Sequence, residues 1–270
     1  IRDRIESRRM TVMLDNPPIN LITRSLYVDL LKFSKALEND SDVTVVVFKS
    51  AVPDFFIAHF DVSAIMDFPV DGEARRSAEA NPFHVMCERF ERTDKVCIAQ
   101  IEGRVGGGGS ELACAMDMRF GAIGKAVINQ MEVPIGILPG GGGTQRIPRL
   151  VGRGRAMEII LGGDDLDAVT AERWGYLNRA LPADELDAFV DRLSRRIAGF
   201  PPDAVRLAKQ AVHASRQSIG EGLIEEDYLF NRLLRTADAA PAMQRFLDAG
   251  GQTPEGELRV GEINGEINDL

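Results

Sequence analysis

The sequence predicts an α/β fold, with an α/β core to about residue 200 and a helical section over residues 201–270. Three observations carry this. Residues 43–48 and 96–101 are continuous apolar runs rich in β-branched side chains, the pattern of strands buried on both faces. Helical patterns alternate with such runs early, and the end is purely helical. Two glycine runs, at 106–109 and 140–143, each lead into a helix start.

Residues 8–14 alternate weakly and stop at Asp15-Asn16-Pro17-Pro18, a strand ending in a turn. Thr23 caps a helix carrying Leu26, Leu30, Leu31, Phe33 and Leu37. After the strand at 43–48, a short turn leads to Phe55-Phe56-Ile57-Ala58-His59-Phe60-Asp61. Residues from about 73 to 92 read as a partly polar helix. The strand at 96–101 runs straight into the first glycine run, and Leu112, Ala113, Ala115 and Met116 make a short apolar helix. Residues 118–122 and 126–128 read as short strands. Pro139 and the second glycine run precede a helix with Ile147 and Leu150. Further helices fall at 154–161, 168–174, 184–198, 203–215 and about 221–247. The tail from 250 to 270 is polar, with Leu258, Val260, Ile263 and Ile267 spaced along it. It is expected to be an arm, either mobile or docked on a neighbour. No short internal repeat is visible.

A chain of 270 residues suits one large domain, or one domain with a helical appendage. Its 44% hydrophobic and 27% charged residues allow a sizeable core. The net charge of -9 speaks against a nucleic-acid surface but admits an anionic small molecule held by local cations and amides. Cys87, Cys97 and Cys114 form no CxxC pair and read as reduced and buried, which fits a cytoplasmic protein. The first six residues do not resemble a signal peptide, and no apolar run is long enough for a membrane span. The chain begins without Met, so some N-terminal residues are expected to precede it. No His/Cys cluster has metal-site spacing.

Glycine lets backbone N–H groups approach a ligand closely, and a helix starting there adds unpaired N–H groups and its positive end. Such a site stabilises an anion, or an oxygen that becomes negative during a reaction. Glu111 follows the first run and Glu132 lies between the two. An oxyanion site flanked by two carboxylates suits an enzyme that makes and quenches an enolate. The residues alone leave alternatives open. Glu111 could be a first-turn helix carboxylate, and Glu132 a surface carboxylate in a loop. Met131, Val133 and Ile135 would give Glu132 a partly apolar pocket and a raised pKa. His59 is either a third catalytic group or part of the loop and pocket lining. His84 and His213 have no identifiable partner and read as structural. Ser110 reads as an N-cap or packing residue, and Asp164, Asp165 and Asp167 as a solvated helix entry. The first glycine run is not a flexible linker, because an apolar strand and an apolar helix flank it. Neither run has the Gly-Lys-Ser/Thr of a P-loop.

From about Val12 to Phe246 the chain resembles the crotonase superfamily, the enoyl-CoA hydratase/isomerase family. Three stretches carry the likeness, in order and at the family's spacing. They are Ile98-Ala99-Gln100-Ile101-Glu102-Gly103-Arg104-Val105-Gly106-Gly107-Gly108-Gly109-Ser110-Glu111-Leu112-Ala113, then Pro139-Gly140-Gly141-Gly142-Gly143-Thr144-Gln145-Arg146-Ile147-Pro148-Arg149, then Ala156-Met157-Glu158 through Leu161-Gly162. The resemblance implies a ββα spiral with a helical trimerisation region, assembled as a trimer or a pair of trimers. It implies an acyl-CoA thioester substrate, with coenzyme A as part of the substrate and no other cofactor. By resemblance, Gly108 and Phe60 supply the two oxyanion-hole N–H groups, and Glu111 and Glu132 are the acid/base pair. Gly140 helps place the catalytic water, and Ala58, Asp61 and Val62 lie along coenzyme A.

Two departures stand out. His59 occupies a position where the family usually has glycine, and Phe60 is larger than the usual small residue, which would narrow the acyl pocket. The stretch Phe246-Leu247-Asp248-Ala249-Gly250-Gly251 lacks the basic pair of many relatives. The expected activity is syn hydration of a 2-enoyl-CoA, with Glu111 serving water and Glu132 serving Cα. Isomerisation, hydrolysis and C–C cleavage use the same oxyanion site and are the first rivals. An RNA-binding, non-catalytic relative is the second, and the net charge opposes it.

Overall fold

Strand pairs that divide themselves between two sheets organise the chain. The computed structural model describes residues 2–73 and 75–268, with side chains from residue 7 onward. β1 (Arg2–Glu6) and β2 (Arg9–Leu14) form an antiparallel hairpin, followed by α1 (Arg24–Glu38). β3 (Val45–Ser50) and β4 (Phe55–Ile57) lead to α2 (Val62–Met66) and α3 (Pro82–Arg92). β5 (Val96–Ile101) and β6 (Arg104–Gly106) lead to α4 (Gly107–Cys114). β7 (Met118–Ala122) and β8 (Val127–Asn129) lead through a 3₁₀ turn (Val133–Ile135) to α5 (Gly143–Val151). Then come α6 (Arg153–Gly162), β9 (Leu166–Asp167), α7 (Ala168–Trp174), β10 (Arg179–Leu181) and α8 (Ala183–Gly199).

In the pairs β3/β4, β5/β6 and β7/β8 the first strand joins a sheet ordered β1-β2-β3-β5-β7-β10, and the second joins a sheet ordered β4-β6-β8-β9. From β2 to β10 the larger sheet is parallel, as are β4, β6 and β8 in the smaller one. The result is a crotonase-like ββα spiral. What repeats is topology, with no repeated sequence.

The β-branched runs follow from burial on both faces. Val46 and Phe48 enter the main core with Leu26, Leu30 and Leu37 of α1. Val45, Val47, Val96 and Ile98 face the other way, against Leu186, Val190 and Ala198 of α8. Each such side chain contributes roughly 1.5–3 kcal/mol when fully buried. Cys87, Cys97 and Cys114 are free and buried, as expected. The short strands β9 and β10 carried no periodic signal and were not anticipated.

Helices α9 (Pro202–Ala214), α10 (Ile219–Leu233), α11 (Ala239–Asp248), α12 (Pro254–Leu258) and α13 (Val260–Glu266) complete the chain. Lys209 pins α9 to the core, donating to the Lys95 carbonyl at 2.7 Å and to Asp117 at 2.8 Å. His213, expected to be partnerless, lies 3.9 Å from Asp117.

Three expectations need correction. The helix expected from 73 begins at Pro82, because Asn81 accepts from the His84 N–H at 2.9 Å and proline stands at the first helical position. Upstream, the described residues from 66 to 82 are all exposed, and those from 73 to 81 offer no large apolar side chain to bury. The helix expected over 221–247 is two helices, because at Thr236 the backbone and hydroxyl both turn back to the Leu233 carbonyl, at 2.9 and 2.8 Å. The expected arm folds into α12 and α13 on its own chain. There Ile263 is fully buried, Arg196 donates to the Gly261 carbonyl and Arg245 to the Ile267 carbonyl. Its last two residues lie outside the described ones. Among the described residues, no helix is long and apolar enough to cross a membrane.

Candidate active site

The parallel strands β4, β6 and β8 end side by side, and the residues that follow them converge, as ligand sites do at the carboxyl ends of parallel strands. After β4 comes Ala58 to Asp61. The backbone of this loop is bolted to Ile22, whose N–H donates to the His59 carbonyl at 2.9 Å and whose carbonyl accepts from Asp61 at 3.2 Å. His59 is not among the non-glycine residues with positive φ, so the loop accepts a side chain where the family usually has glycine. Its Nδ1 carries a proton and donates to the Phe60 carbonyl at 2.8 Å. Ala58 is buried, and Val62 opens α2. The Asp61 carboxylate caps that helix, accepting from Ser63 at 3.0 Å.

After β6 the chain turns directly into α4. Gly106 stands at the N-cap with no side-chain cap, so the N–H groups of Gly107, Gly108 and Gly109 have no partner within the helix. The run is the first turn of α4. A Cβ on Gly108 would lie 3.5 Å from the Phe60 nitrogen and 3.1 Å from its Cβ, so the two backbones are neighbours. Gly107 has φ +44°, and a Cβ there would lie 3.0 Å from Glu132 Oε1 and 3.1 Å from His59 Cβ. Glycine is what lets the loop and Glu132 close on the helix start from two sides.

Glu111 is the fifth residue of α4, past the first turn, so the capping alternative does not describe it. It is 3% exposed, and its Oε1 accepts from both Gly141 and Gly143 N–H at 2.8 Å. Burial leaves its pKa raised above the ordinary carboxylate value, and the Gly143 and Gly141 N–H groups draw it only part of the way back. Glu132 is 7% exposed, which rules out the surface-loop alternative. Its Oε2 is buried with no hydrogen-bond partner among the described residues. Burial pushes Glu132 up to about 7, and the Glu111 charge adds to the effect. Ile135 does not supply that burial, since it is 46% exposed. Gly107 stands against the carboxylate, where a Cβ would lie 3.0 Å from Glu132 Oε1.

The second glycine run folds over Glu111. A Cβ on Gly141 would sit 2.6 Å from both Glu111 Oε2 and the Phe83 ring. Phe83 meets Phe60 edge-on at 6.0 Å and stacks on Tyr27 at 6.2 Å. The Gly140 carbonyl accepts from His84 Nε2 at 2.7 Å and from the Asn81 amide at 3.4 Å. His84, read from the sequence as partnerless, therefore touches the site. The Asn81-Pro82 pair could have revealed it, because it fixes the helix start and puts His84 in the first turn.

Ser110 is buried on the Tyr176 hydroxyl at 2.8 Å, a packing role. Asp165 forms a two-pronged bond with Arg104, and Asp167 caps α7 through Thr170. The structure thus brings Phe60, Gly108, Glu111, Glu132 and Gly140 to one place.

A family model described as enoyl-CoA hydratase/isomerase matches residues 5–253. A short-chain-enoyl-CoA hydratase of Clostridium acetobutylicum is 33% identical over 217 residues, covering 78% of this chain and 80% of its own. A crotonyl-CoA hydratase of Syntrophomonas wolfei is 29% identical over 250 residues, covering 90% and 93%. The crystal structure of an enoyl-CoA hydratase from Bacillus anthracis superposes with a TM-score of 0.81 at 27% identity, over 89% of this chain and 93% of that one. This chain belongs to the enoyl-CoA hydratase/isomerase family and has its fold.

Proposed function

We propose that the protein hydrates a 2-enoyl-CoA thioester by syn addition of water. The observation that carries this is the unlike state of two neighbouring buried carboxylates. Glu111 has two N–H donors that favour its ionised form. Glu132 has an unpartnered buried oxygen and a pKa raised to about 7, so a large fraction is protonated near neutrality. Burial raises both carboxyl groups, but Glu111 has two N–H donors drawing it back and Glu132 Oε2 has none, which makes Glu111 the base and Glu132 the acid in this reading.

In this reading the thioester oxygen lies between the Phe60 and Gly108 N–H groups. Water, held by Glu111 and the Gly140 backbone, adds to Cβ while Glu111 takes its proton. Charge moves onto the thioester oxygen, where one N–H donor is worth ~3 kcal/mol in the transition state. Glu132 then delivers a proton to Cα and the enolate collapses to the 3-hydroxyacyl thioester. Ala58, Asp61 and Val62 line the coenzyme A path, with the Asp61 side chain shaping the loop. Coenzyme A comes with the substrate, and the reaction needs no other cofactor.

The reading extends to assembly as a trimer or a pair of trimers, which an uncovered apolar face supports. Leu223, Ile224, Tyr228 and Phe230 of α10 and Met243 and Leu247 of α11 are exposed in the single chain, whereas Leu229 is buried. The test is loss of enoyl-thioester absorbance with crotonyl-CoA. Glu111→Gln and Glu132→Gln are each expected to lower kcat ~10²–10⁴-fold. An isomerase would instead need Glu132 alone, keep its rate in Glu111→Gln, and release no 3-hydroxyacyl product.

A further inference from the structure

We propose that His84 is a positioning residue for Glu111, acting through the single peptide unit between Gly140 and Gly141. The inference rests on the hydratase reading for its kinetic consequence, and on geometry alone for its structural one.

The Gly140 carbonyl and the Gly141 N–H belong to one planar group and point in opposite directions. His84 Nε2 holds the carbonyl end at 2.7 Å, and Glu111 Oε1 holds the N–H end at 2.8 Å. A carbonyl oxygen only accepts, so the short contact requires a proton on Nε2. The 3.4 Å approach of the Asn81 amide to that nitrogen is then a donor meeting a donor, and Asn81 serves as a second, longer donor to the same carbonyl.

His84 is itself fixed. Its N–H is bound by the Asn81 side chain at 2.9 Å, and Phe83 beside it packs on Phe60 and Tyr27. The N-terminus of α3 therefore clamps the peptide plane of the second glycine run. Gly140 and Gly141 have no side chains, and neither is held within a helix. Turning that plane would withdraw one of the two donors that favour the ionised form of Glu111 and aim its carboxylate. The charged and titratable groups around Glu111 are Glu132 from the loop after β8, His84 and Cys87 from α3, Cys114 from α4 and Arg146 from α5. Removal of His84 takes away both the clamp and one of the positive influences on Glu111.

The test compares wild type, His84→Ala and His84→Gln in two measurements. In crotonyl-CoA hydration, His84→Ala is expected to lower kcat about tenfold, leave KM within about twofold, and move the acid limb of the kcat profile to higher pH, because Glu111 loses help in ionising. His84→Gln, which keeps an N–H donor, is expected to recover most of kcat. A crystal structure of His84→Ala, which needs no substrate, is expected to show the Gly140–Gly141 peptide rotated and Gly141 N no longer bonded to Glu111. An unmoved peptide overturns the proposal whatever the activity. So does unchanged kcat and pH profile in His84→Ala, or equal loss in both variants. If wild type does not hydrate crotonyl-CoA, the hydratase reading fails for that substrate and the crystal structure alone decides the role of His84.

Discussion

At the scale of single residues, the proposed hydration rests on a contrast between two glutamates, and that contrast has a thermodynamic signature. An unfolded glutamate titrates near 4.5, whereas folded Glu132 titrates at about 7. Between these values the folded chain keeps a proton that the unfolded chain has released. Stability therefore falls as pH rises through that window. Glu132→Gln is expected to raise Tm at pH 8 by a few degrees, corresponding to ~1–3 kcal/mol, with the gain shrinking towards pH 5. Calorimetric melts at the two pH values check this, and an equal gain at both would mean that ionisation is not the cause. In the proposed hydration the same group is expected to set the basic limb of kcat/KM near pH 7, since the proton donor is lost above it. Gly141 offers a steric counterpart. A methyl group there meets Glu111 Oε2 and the Phe83 ring at 2.6 Å, so Gly141→Ala is expected to cost roughly 10²-fold in kcat while the fold persists.

Among elements, the relation of α3 to α5 matters most, because α3 carries His84 and Phe83 while α5 opens with the second glycine run. Glu91 of α3 joins them through Arg146 of α5, at 3.0 Å, and it also pairs with Arg216 just after α9. Burial raises the Glu91 pKa, but the Arg216 and Arg146 guanidinium groups overcome this and hold it below the usual carboxylate range. Glu91→Gln leaves Arg146 half-buried without its partner. It is expected to destabilise by ~3 kcal/mol, readable as a shift in urea midpoint. These elements also mark how far the sequence could be read. Continuous apolar runs located β3 and β5, and the first glycine run before an apolar helix located the start of α4 and with it Glu111. Length misled where composition suited a helix but no face was buried, over 73–81, and where a polar tail hid two short docked helices. The His84 clamp was not legible, because it joins residues 56 positions apart. The raised pKa of Glu132 and its cause, burial, were anticipated, but of Met131, Val133 and Ile135, expected to surround it, Ile135 faces solvent.

Across the whole molecule, three ββα turns stack β4, β6 and β8 so that their ends deliver one glycine helix start, one bolted loop and one buried acid to the same point. The apolar faces of α10 and α11 are left uncovered in the single chain, and the family reading covers them with further copies. Leu223→Glu combined with Ile224→Glu is expected to convert the assembly to monomers in light scattering, and an unchanged mass would exclude that face as the contact. The central claim, that Glu111 and Glu132 are the base and acid of a hydration, is tested most directly by incubating the protein with crotonyl-CoA in H₂¹⁸O and comparing wild type with Glu111→Gln and Glu132→Gln. The account predicts ¹⁸O in the 3-hydroxyacyl product of wild type and at least ~10²-fold slower formation in each variant. Wild-type formation that neither substitution slows would contradict it.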